Sequence, residues 1–309
     1  MTTSPALLPL PRRVQIETTS KCNLRCGSCM HSFEGFERRA LGHMPFERFV
    51  HILNEIPGLE EVELQGVGEP LLNPDVPRMI REAAFRHITV HTFTNGSRLD
   101  ARLAGELIDA GLHSLTFSVD GATPAVFEFL RAGGRFEQVL QNIRTMLHVK
   151  RERGSELPNC NFNTVVSRRN KDEIGEIIEL ARSLGGIRNV TFVKLNTLIA
   201  PEWQGICLEE EEARALEDRY RGDHHGLEVR FYFRAMNLAQ RKACWWPLQW
   251  AYISVDGYVT PCCNYFDPKV LNLGNVFVQP FRDIWTGASY EGFRARLAAG
   301  RLRHECASC

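Results

Sequence analysis

Two hydrophobic patterns alternate along the first two thirds of the chain. Short stretches alternate apolar and polar residues, as half-buried strands do, and longer stretches repeat apolar residues every three or four positions, as amphipathic helices do. The predicted strands are 14–18, 62–64, 88–93, 114–118, 161–166 and 190–195. The predicted helices are 46–56, 75–85, 101–110, 136–151 and 173–184, with Asp100 as the N-cap of the third helix.

Helices separate the six predicted strands, so the chain reads as a series of βα units. Repeated units of this length form a parallel sheet covered by helices. Six units are too few for the closed eight-stranded barrel. We therefore predict the α/β class, with an open partial (β/α)6 barrel over residues 12–200. In such a fold the ligands bind at the carboxyl ends of the strands.

Short motifs rich in cysteine, glycine and polar residues follow four of these predicted strands. In chain order they are Cys22-x₃-Cys26-x₂-Cys29, Gly66-Val67-Gly68-Glu69-Pro70, Thr94-Asn95-Gly96 and Ser118-Val119-Asp120-Gly121. Because all four follow the same end of neighbouring strands, they are predicted to meet at one site.

The three cysteines in KCNLRCGSC are the most informative of these motifs. Three thiolates packed this closely hold three irons of a 4Fe–4S cluster and leave the fourth iron open to a ligand that is not protein. Spacing alone also allows a zinc site with His31 as a further ligand. A disulfide would pair two of these three cysteines and leave the third thiol without a partner.

This cysteine motif after the first strand resembles that of the radical S-adenosylmethionine (radical SAM) enzymes, with Ser28 where the family usually has an aromatic residue. The GVGEP segment resembles the family's GGEP segment, which binds the methionyl amine of SAM, although Val67 replaces the first of the paired glycines. Arg131 falls where related enzymes place an arginine near the SAM carboxylate. The resemblance implies these SAM-binding residues: Gly66, Gly68, Glu69, Pro70, Thr94, Asn95, Ser118, Asp120 and Arg131.

The last third of the chain carries a second set of cysteines, with Cys244 and Cys262 followed by a closing Cys306-x₂-Cys309. Asp256-Gly257 between two strand-like stretches predicts a hairpin that brings cysteines together. Spacing alone leaves zinc and an iron–sulfur cluster open.

The wider pattern, with the GNV segment at 274–276, resembles the SPASM/Twitch extension of radical SAM enzymes. That resemblance implies a Twitch-like hairpin and helix module over 241–309, in which these four cysteines bind one auxiliary 4Fe–4S cluster. Residues 201–240 are predicted to be a linker region containing a helix at 208–220.

The resemblance also implies the chemistry. The open iron of the first cluster binds SAM, one electron cleaves SAM to a 5′-deoxyadenosyl radical, and the protein positions a substrate hydrogen against it. The electron implies a flavodoxin- or ferredoxin-type reductant. Cys263 directly follows a cluster ligand and resembles the hydrogen donor of aminoglycoside-tailoring epimerases. A bystander role for this thiol is the competing interpretation.

The composition of the chain limits the classes of binding partner and the cellular compartment that we expect. The formal net charge is zero, which argues against a nucleic-acid partner, and no apolar run reaches the roughly 18 residues of a membrane span. Ten cysteines without a signal peptide favour the reducing cytoplasm.

The sequence is compatible with several classes of substrate. The first strand begins by about residue 14, without a preceding leader-binding module, and this favours a carbohydrate or aminocyclitol over a ribosomal peptide. Redox-neutral epimerization with Cys263 as donor is the preferred prediction, and dehydrogenation of a secondary alcohol is the first alternative. A peptide maturase and a zinc-binding scaffold without activity are the others.

Overall fold

The computed structural model describes residues 8–29, 31, 42–195, 201–234 and 236–307. Within these ranges the chain forms a mixed α/β fold, as predicted. The strands are β1 (Arg13–Ile16), β2 (Glu61–Leu64), β3 (Thr89–Thr94), β4 (Ser114–Ser118), β5 (Asn159–Val166), β6 (Ile187–Lys194), β7 (Glu228–Tyr232), β8 (Trp250–Ile253) and β9 (Val259–Thr260).

Helices follow most of the strands, and the five that the periodicity predicts within 12–200 are confirmed to within one or two residues at each end. The helices are α1 (Phe46–Glu55), α2 (Val76–Phe85), α3 (Ala101–Asp109), α4 (Pro124–Leu130), α5 (Phe136–Glu152), α6 (Ile174–Ser183), α7 (Glu210–Tyr220), α8 (Leu238–Lys242), α9 (Trp246–Gln249), α10 (Phe281–Trp285), α11 (Ala288–Ala298) and α12 (His304–Ala307). Asp100 caps α3 by accepting the Leu103 N–H at 2.7 Å, as predicted. Helix α4 is absent from the prediction, although Thr123-Pro124 carries the signal of an N-cap followed by proline.

All nine strands belong to one sheet, in the order β7-β6-β5-β4-β3-β2-β1-β8-β9. Strands β1 to β6 are parallel neighbours, which confirms the partial-barrel architecture. Strand β7 adds a seventh parallel strand beside β6 and lies within 201–240, the predicted linker. The division of the chain into a barrel, a linker and a module remains a prediction.

The predicted hairpin forms, and it extends the barrel sheet. Strands β8 and β9 pair antiparallel around a turn in which Gly257 has φ +89°, a conformation that favours glycine. Strand β8 also pairs parallel with β1, with Gln15 opposite Tyr252. This pairing covers the edge of β1 that would otherwise expose unpaired backbone groups. The carboxyl end of β1, where the first cysteine motif begins, is thereby placed beside the last third of the chain.

The two faces of the sheet differ in polarity. Alternate strand residues such as Val62, Leu115 and Phe162 are fully buried in the hydrophobic core beneath the helices. Many of the residues between them are polar, although Phe93 lies on the same face. Glu63 lies opposite Gln15 on one side and His91 on the other. The helix-free face of the sheet therefore includes a polar wall formed by these side chains.

Glu63 is the most strongly affected acid on this wall, because burial raises the pKa of its carboxyl group from 4.5 to about 7. At pH values above 7 the folded protein must hold this carboxylate charged in a poorly solvated place. The unfolded chain loses the same proton near pH 4.5 at no such cost.

We expect Glu63→Gln to stabilise the protein at pH 8 by about 1–3 kcal/mol and to have little effect at about pH 3.5, where the carboxyl group is protonated in both states. The gain should grow as the pH rises from 4.5 to 7 and then level off. Denaturant unfolding at a series of pH values checks this, with the exposed Glu156→Gln as the control. A gain independent of pH would contradict the explanation.

Candidate active site

The first cysteine motif lies in a loop that backbone hydrogen bonds hold at the carboxyl end of β1. The Cys29 N–H donates to the Cys26 carbonyl at 3.0 Å, and the Arg25 N–H donates to the Ala132 carbonyl at 2.8 Å. The Trp203 side chain packs so closely on Gly27 that a Cβ at this position would overlap the indole ring. The loop is thus fixed before any ligand binds.

The electrostatics of the three thiols suit metal ligands. Burial is the largest effect and raises the pKa of Cys22 to about 11. It also raises the pKa values of Cys26 and Cys29. Cys26 and Cys29 each raise the pKa of Cys22 further, so the three sulfurs lie within electrostatic reach of one another. Iron would supply the positive charge that makes three neighbouring buried thiolates favourable.

The GVGEP loop packs directly against the chain that enters the cysteine loop. The Glu69 N–H donates to the Lys21 carbonyl at 2.8 Å. A Cβ at Gly68 would overlap the carbonyl oxygen of Thr19, so only glycine permits this approach. The two predicted motifs are brought together as expected.

Glu69 connects GVGEP to the next strand end. Its carboxylate is buried and accepts hydrogen bonds from the Leu71 N–H, the Thr94 hydroxyl and the Asn95 N–H at 2.7–3.1 Å. Burial raises the pKa of Glu69, and these three donors oppose that rise. Pro70 starts a short 3-10 turn.

Asp120 and Arg131 form a partly buried ion pair, with the Arg131 Nε 2.5 Å from the carboxylate. The other Asp120 oxygen accepts the Val165 N–H at 2.8 Å. Burial lowers the pKa of Arg131, but Asp120 and the nearby Cys26 and Cys29 raise it overall. Arg131 therefore remains a cation beside the cysteine loop. Ser118, the last residue of β4, pairs in register with Asn163 of β5.

The second cysteine set also gathers around one place. Cys244, Cys262 and Cys306 line a single cavity whose other walls include Trp246 and Pro247. Burial raises the pKa of Cys262 well above its usual value, with further contributions from Cys263, Cys306 and Cys244. The Tyr265 hydroxyl lies 3.1 Å from the Cys306 sulfur. Cys309, the predicted fourth ligand, lies outside the described residues.

No group of three or more His, Cys, Asp or Glu residues in the described part of the chain is arranged to hold a single metal ion. A 4Fe–4S cluster has a different requirement, because each thiolate bonds to a different iron and the sulfurs surround the cluster. The two thiol sets fit such a group in their electrostatics and, for the second set, in the cavity that they share.

A cavity of about 380 Å³ is lined by residues of both the barrel segment and the last third of the chain. Cys29, Gly66 and Val67 line it from the barrel side, and Cys263 lines it from the last third. Cys263 is exposed and begins a short 3-10 turn, whereas the neighbouring Cys262 points to the thiol cavity. Successive cysteines therefore face two different cavities.

Glu17 is a site residue that the sequence reasoning misses. Its side chain is fully buried, and its two oxygens accept the Val67 N–H and the Val255 N–H, both at 3.0 Å. A Cβ at Gly66 would overlap the Glu17 side chain. One carboxylate thus ties the GVGEP loop to the hairpin of the last third. The feature of the sequence that could have identified Glu17 is its position as an acidic residue directly after a strand of buried residues.

Comparison with known proteins agrees with this arrangement. Residues 16–181 match the model of the radical SAM superfamily, and residues 244–309 match that of an iron–sulfur cluster-binding domain, SPASM. The AdoMet-dependent heme synthase of Methanosarcina barkeri (strain Fusaro / DSM 804) is 27% identical over 340 residues, which cover 98% of this chain and 90% of the relative.

Two solved structures share the fold. Streptococcus suis SuiB bound to precursor peptide SuiA has a TM-score of 0.74 at 16% identity, covering 98% of this chain and 70% of SuiB. BtrN in complex with AdoMet and 2-DOIA has a TM-score of 0.51 at 16% identity, covering 94% of this chain and 89% of BtrN. No helix among the described residues is long and apolar enough to cross a membrane.

We expect Glu17→Gln to destabilise the protein by about 1–3 kcal/mol, because the amide NH₂ would face one of the two backbone N–H groups and leave it unpaired. Amide hydrogen exchange should accelerate at Val67 or Val255, whichever N–H loses its acceptor. Denaturant unfolding and exchange mass spectrometry test this, again with exposed Glu156→Gln as the control. Unchanged exchange at both amides would contradict the role given to Glu17.

Proposed function

Because this chain belongs to the radical SAM superfamily, we propose that it epimerizes a sugar or aminocyclitol. In this reaction a hydrogen leaves one face of a substrate carbon, and Cys263 returns a hydrogen to the opposite face. One observation carries the proposal: Cys263 and Cys29 line the same cavity from opposite halves of the chain.

The radical SAM domain binds a 4Fe–4S cluster and SAM, and together these supply the 5′-deoxyadenosyl radical that removes the substrate hydrogen. We assign the cluster to Cys22, Cys26 and Cys29. Arg131 remains a cation beside this loop, which suits the SAM carboxylate. We assign the methionyl amine of SAM to the segment of Glu69, Thr94 and Asn95, whose buried hydrogen bonds hold these residues together.

The walls of the cavity suit a small polyhydroxylated or amino-substituted substrate. Its volume falls in the usual range for small-molecule sites, about 300–1,000 Å³. Gln15, Gln65 and Asn264 offer amide groups for hydroxyls, and Asp267 and Glu305 offer carboxylates for hydroxyls or amines. Tyr252 and Phe266 provide aromatic surface for the apolar face of a sugar ring.

Cys263 can act as the donor because a thiol S–H bond is weak enough to give a hydrogen atom to a carbon radical. The resulting sulfur radical must then gain one electron and one proton to restore the thiol. An auxiliary cluster held by Cys244, Cys262, Cys306 and Cys309 would supply this electron, since Cys262 adjoins Cys263 in the chain. Because cysteines would occupy all four irons, that cluster would transfer electrons and would not bind the substrate, which would lie in the cavity.

Two alternatives use the same site. A dehydrogenase would lose a proton and an electron from the substrate radical and would not need Cys263. A peptide maturase is favoured by the similarity to SuiB, which was crystallised with a precursor peptide. The donor thiol on the cavity wall favours epimerization over both.

The experiment is anaerobic turnover of the reconstituted protein with candidate aminoglycosides in deuterated water. We expect a product in which one carbon-bound hydrogen is replaced by deuterium and the formula is otherwise unchanged. Loss of two mass units would show dehydrogenation instead.

In the same assay we expect Cys263→Ala to cleave SAM but to give oxidised or shunt product, at least about tenfold depleted in epimer. Cys160→Ala is the matched control, because its thiol is buried in the core beneath the helices. Native product formed by the Cys263 variant at the wild-type rate would exclude the donor role.

Iron content tests the cluster assignment separately. The protein should hold about eight irons, and the double variant Cys262→Ala with Cys306→Ala should retain about four, because the first cluster keeps its three thiolates and the second keeps only two. The visible spectrum and iron analysis provide the measurement, and SAM binding should persist in this variant. Eight irons in the double variant would remove both residues from the ligand set.

A further inference from the structure

Three basic side chains form a surface outside the cysteine cavity of the last third. We call this surface, made of Lys242, Arg296 and Arg301, the basic face. All three residues are exposed, and none of them forms an ion pair within the described ranges. Lys242 packs against Gly300, the neighbour of Arg301, so α8 and the end of α11 contribute to one surface. Three unpaired cations this close together form an electropositive patch.

The basic face opens into a cavity of about 320 Å³ that reaches an auxiliary-cluster cysteine. Arg296, Arg301 and Arg303 line this outer cavity, and Cys306 lies on its wall. Cys306, Phe293 and Leu297 also line the inner cavity that contains Cys244 and Cys262. A single layer of side chains, including a predicted cluster ligand, therefore separates the basic face from the auxiliary-cluster site.

The series of cavities continues to the substrate. Asn264, Tyr265 and Glu305 line both the inner thiol cavity and the cavity that holds Cys263 and Cys29. From the surface inward, the order is the basic face, the auxiliary cysteines, Cys263 and then the first cysteine loop. Electron transfer slows steeply with distance, and the auxiliary cysteines are the first of these sites inward from the basic face, so a donor docked there would reduce them first.

Charge identifies the kind of donor. The whole chain is neutral, with 37 basic and 37 acidic residues, but residues 236–309 carry eight Lys or Arg against five Asp or Glu. This segment, which contains the auxiliary cysteines and the basic face, therefore carries a formal net charge of +3, and the rest of the chain carries −3. Such a surface attracts a partner that carries acidic side chains and speeds its association at low salt.

We propose that the basic face is the docking site of a small acidic protein that carries single electrons, and that electrons enter through the auxiliary cluster beside Cys306. The proposal rests on the auxiliary cluster of the proposed function and is independent of the substrate and of the reaction outcome. The carrier's acidic residues would pair with Lys242, Arg296 and Arg301.

The test uses the reconstituted full chain without substrate and an acidic flavodoxin as the carrier. Binding of oxidised flavodoxin is measured by anaerobic interferometry at low and moderate salt. Reduction of the clusters by reduced flavodoxin is followed by stopped-flow absorbance. The variant is Arg296→Glu with Arg301→Glu, and its iron content is measured first. The matched control is Arg81→Glu with Arg144→Glu, which makes the same change in net charge at exposed positions on α2 and α5.

We expect the Arg296/Arg301 variant to associate with flavodoxin about tenfold more slowly at low salt, with a weaker dependence on salt, and the control to change less than about twofold. Reduction by methyl viologen, a small cationic donor that needs no docking, should not slow in either variant. Equal losses in the variant and the control, slower reduction by methyl viologen, or no measurable binding to the wild type would overturn the proposal. None of these readouts depends on epimerization, so they separate this proposal from the assignment of the reaction.

Discussion

The site depends on acidic side chains that accept backbone N–H groups from distant segments of the chain. Glu17 accepts the N–H groups of Val67 and Val255, and Glu69 accepts that of Asn95 in addition to that of Leu71 in its own turn. Asp120 accepts the N–H of Val165 in β5. Each carboxylate stands beyond the carboxyl end of a strand and is largely buried, so its charge is stabilised chiefly by the donors it holds. The loops that form the site are therefore connected to one another as well as to the sheet.

The connection made by Glu17 has a particular consequence. The pairing of β8 with β1 brings the last third of the chain alongside the cysteine loop, and Glu17 fixes the distance between the GVGEP loop and the hairpin. The cavity between Cys29 and Cys263 is bounded by the two elements that this carboxylate joins. A site that must guide a reactive radical benefits from walls that are set in advance.

Two adjacent cysteines in the last third of the chain have different surroundings. Cys262 belongs to a buried thiol cavity with Trp246 and Pro247 on its walls, whereas Cys263 is exposed to the cavity shared with the first loop. The extended backbone at Cys262 followed by a 3-10 turn from Cys263 gives the two side chains different directions. A single peptide bond thus separates a thiol of the buried cysteine cavity from a thiol on the wall of the cavity shared with the first loop.

The sequence by itself determined the strands and helices of the barrel, the hairpin at Asp256-Gly257, and the identity of the cysteine motifs. These features depend on periodicity and on short spacings, which reflect contacts between near neighbours in the chain. The tertiary structure alone decided that β8 extends the sheet at β1 and that β7 adds a seventh parallel strand. It also decided that Glu17 reaches Val255, 238 positions away, that Cys263 and Cys29 line one cavity, and that three distant cations form one face. Such contacts arise from the packing of whole elements, and no local pattern in the chain records which elements will meet.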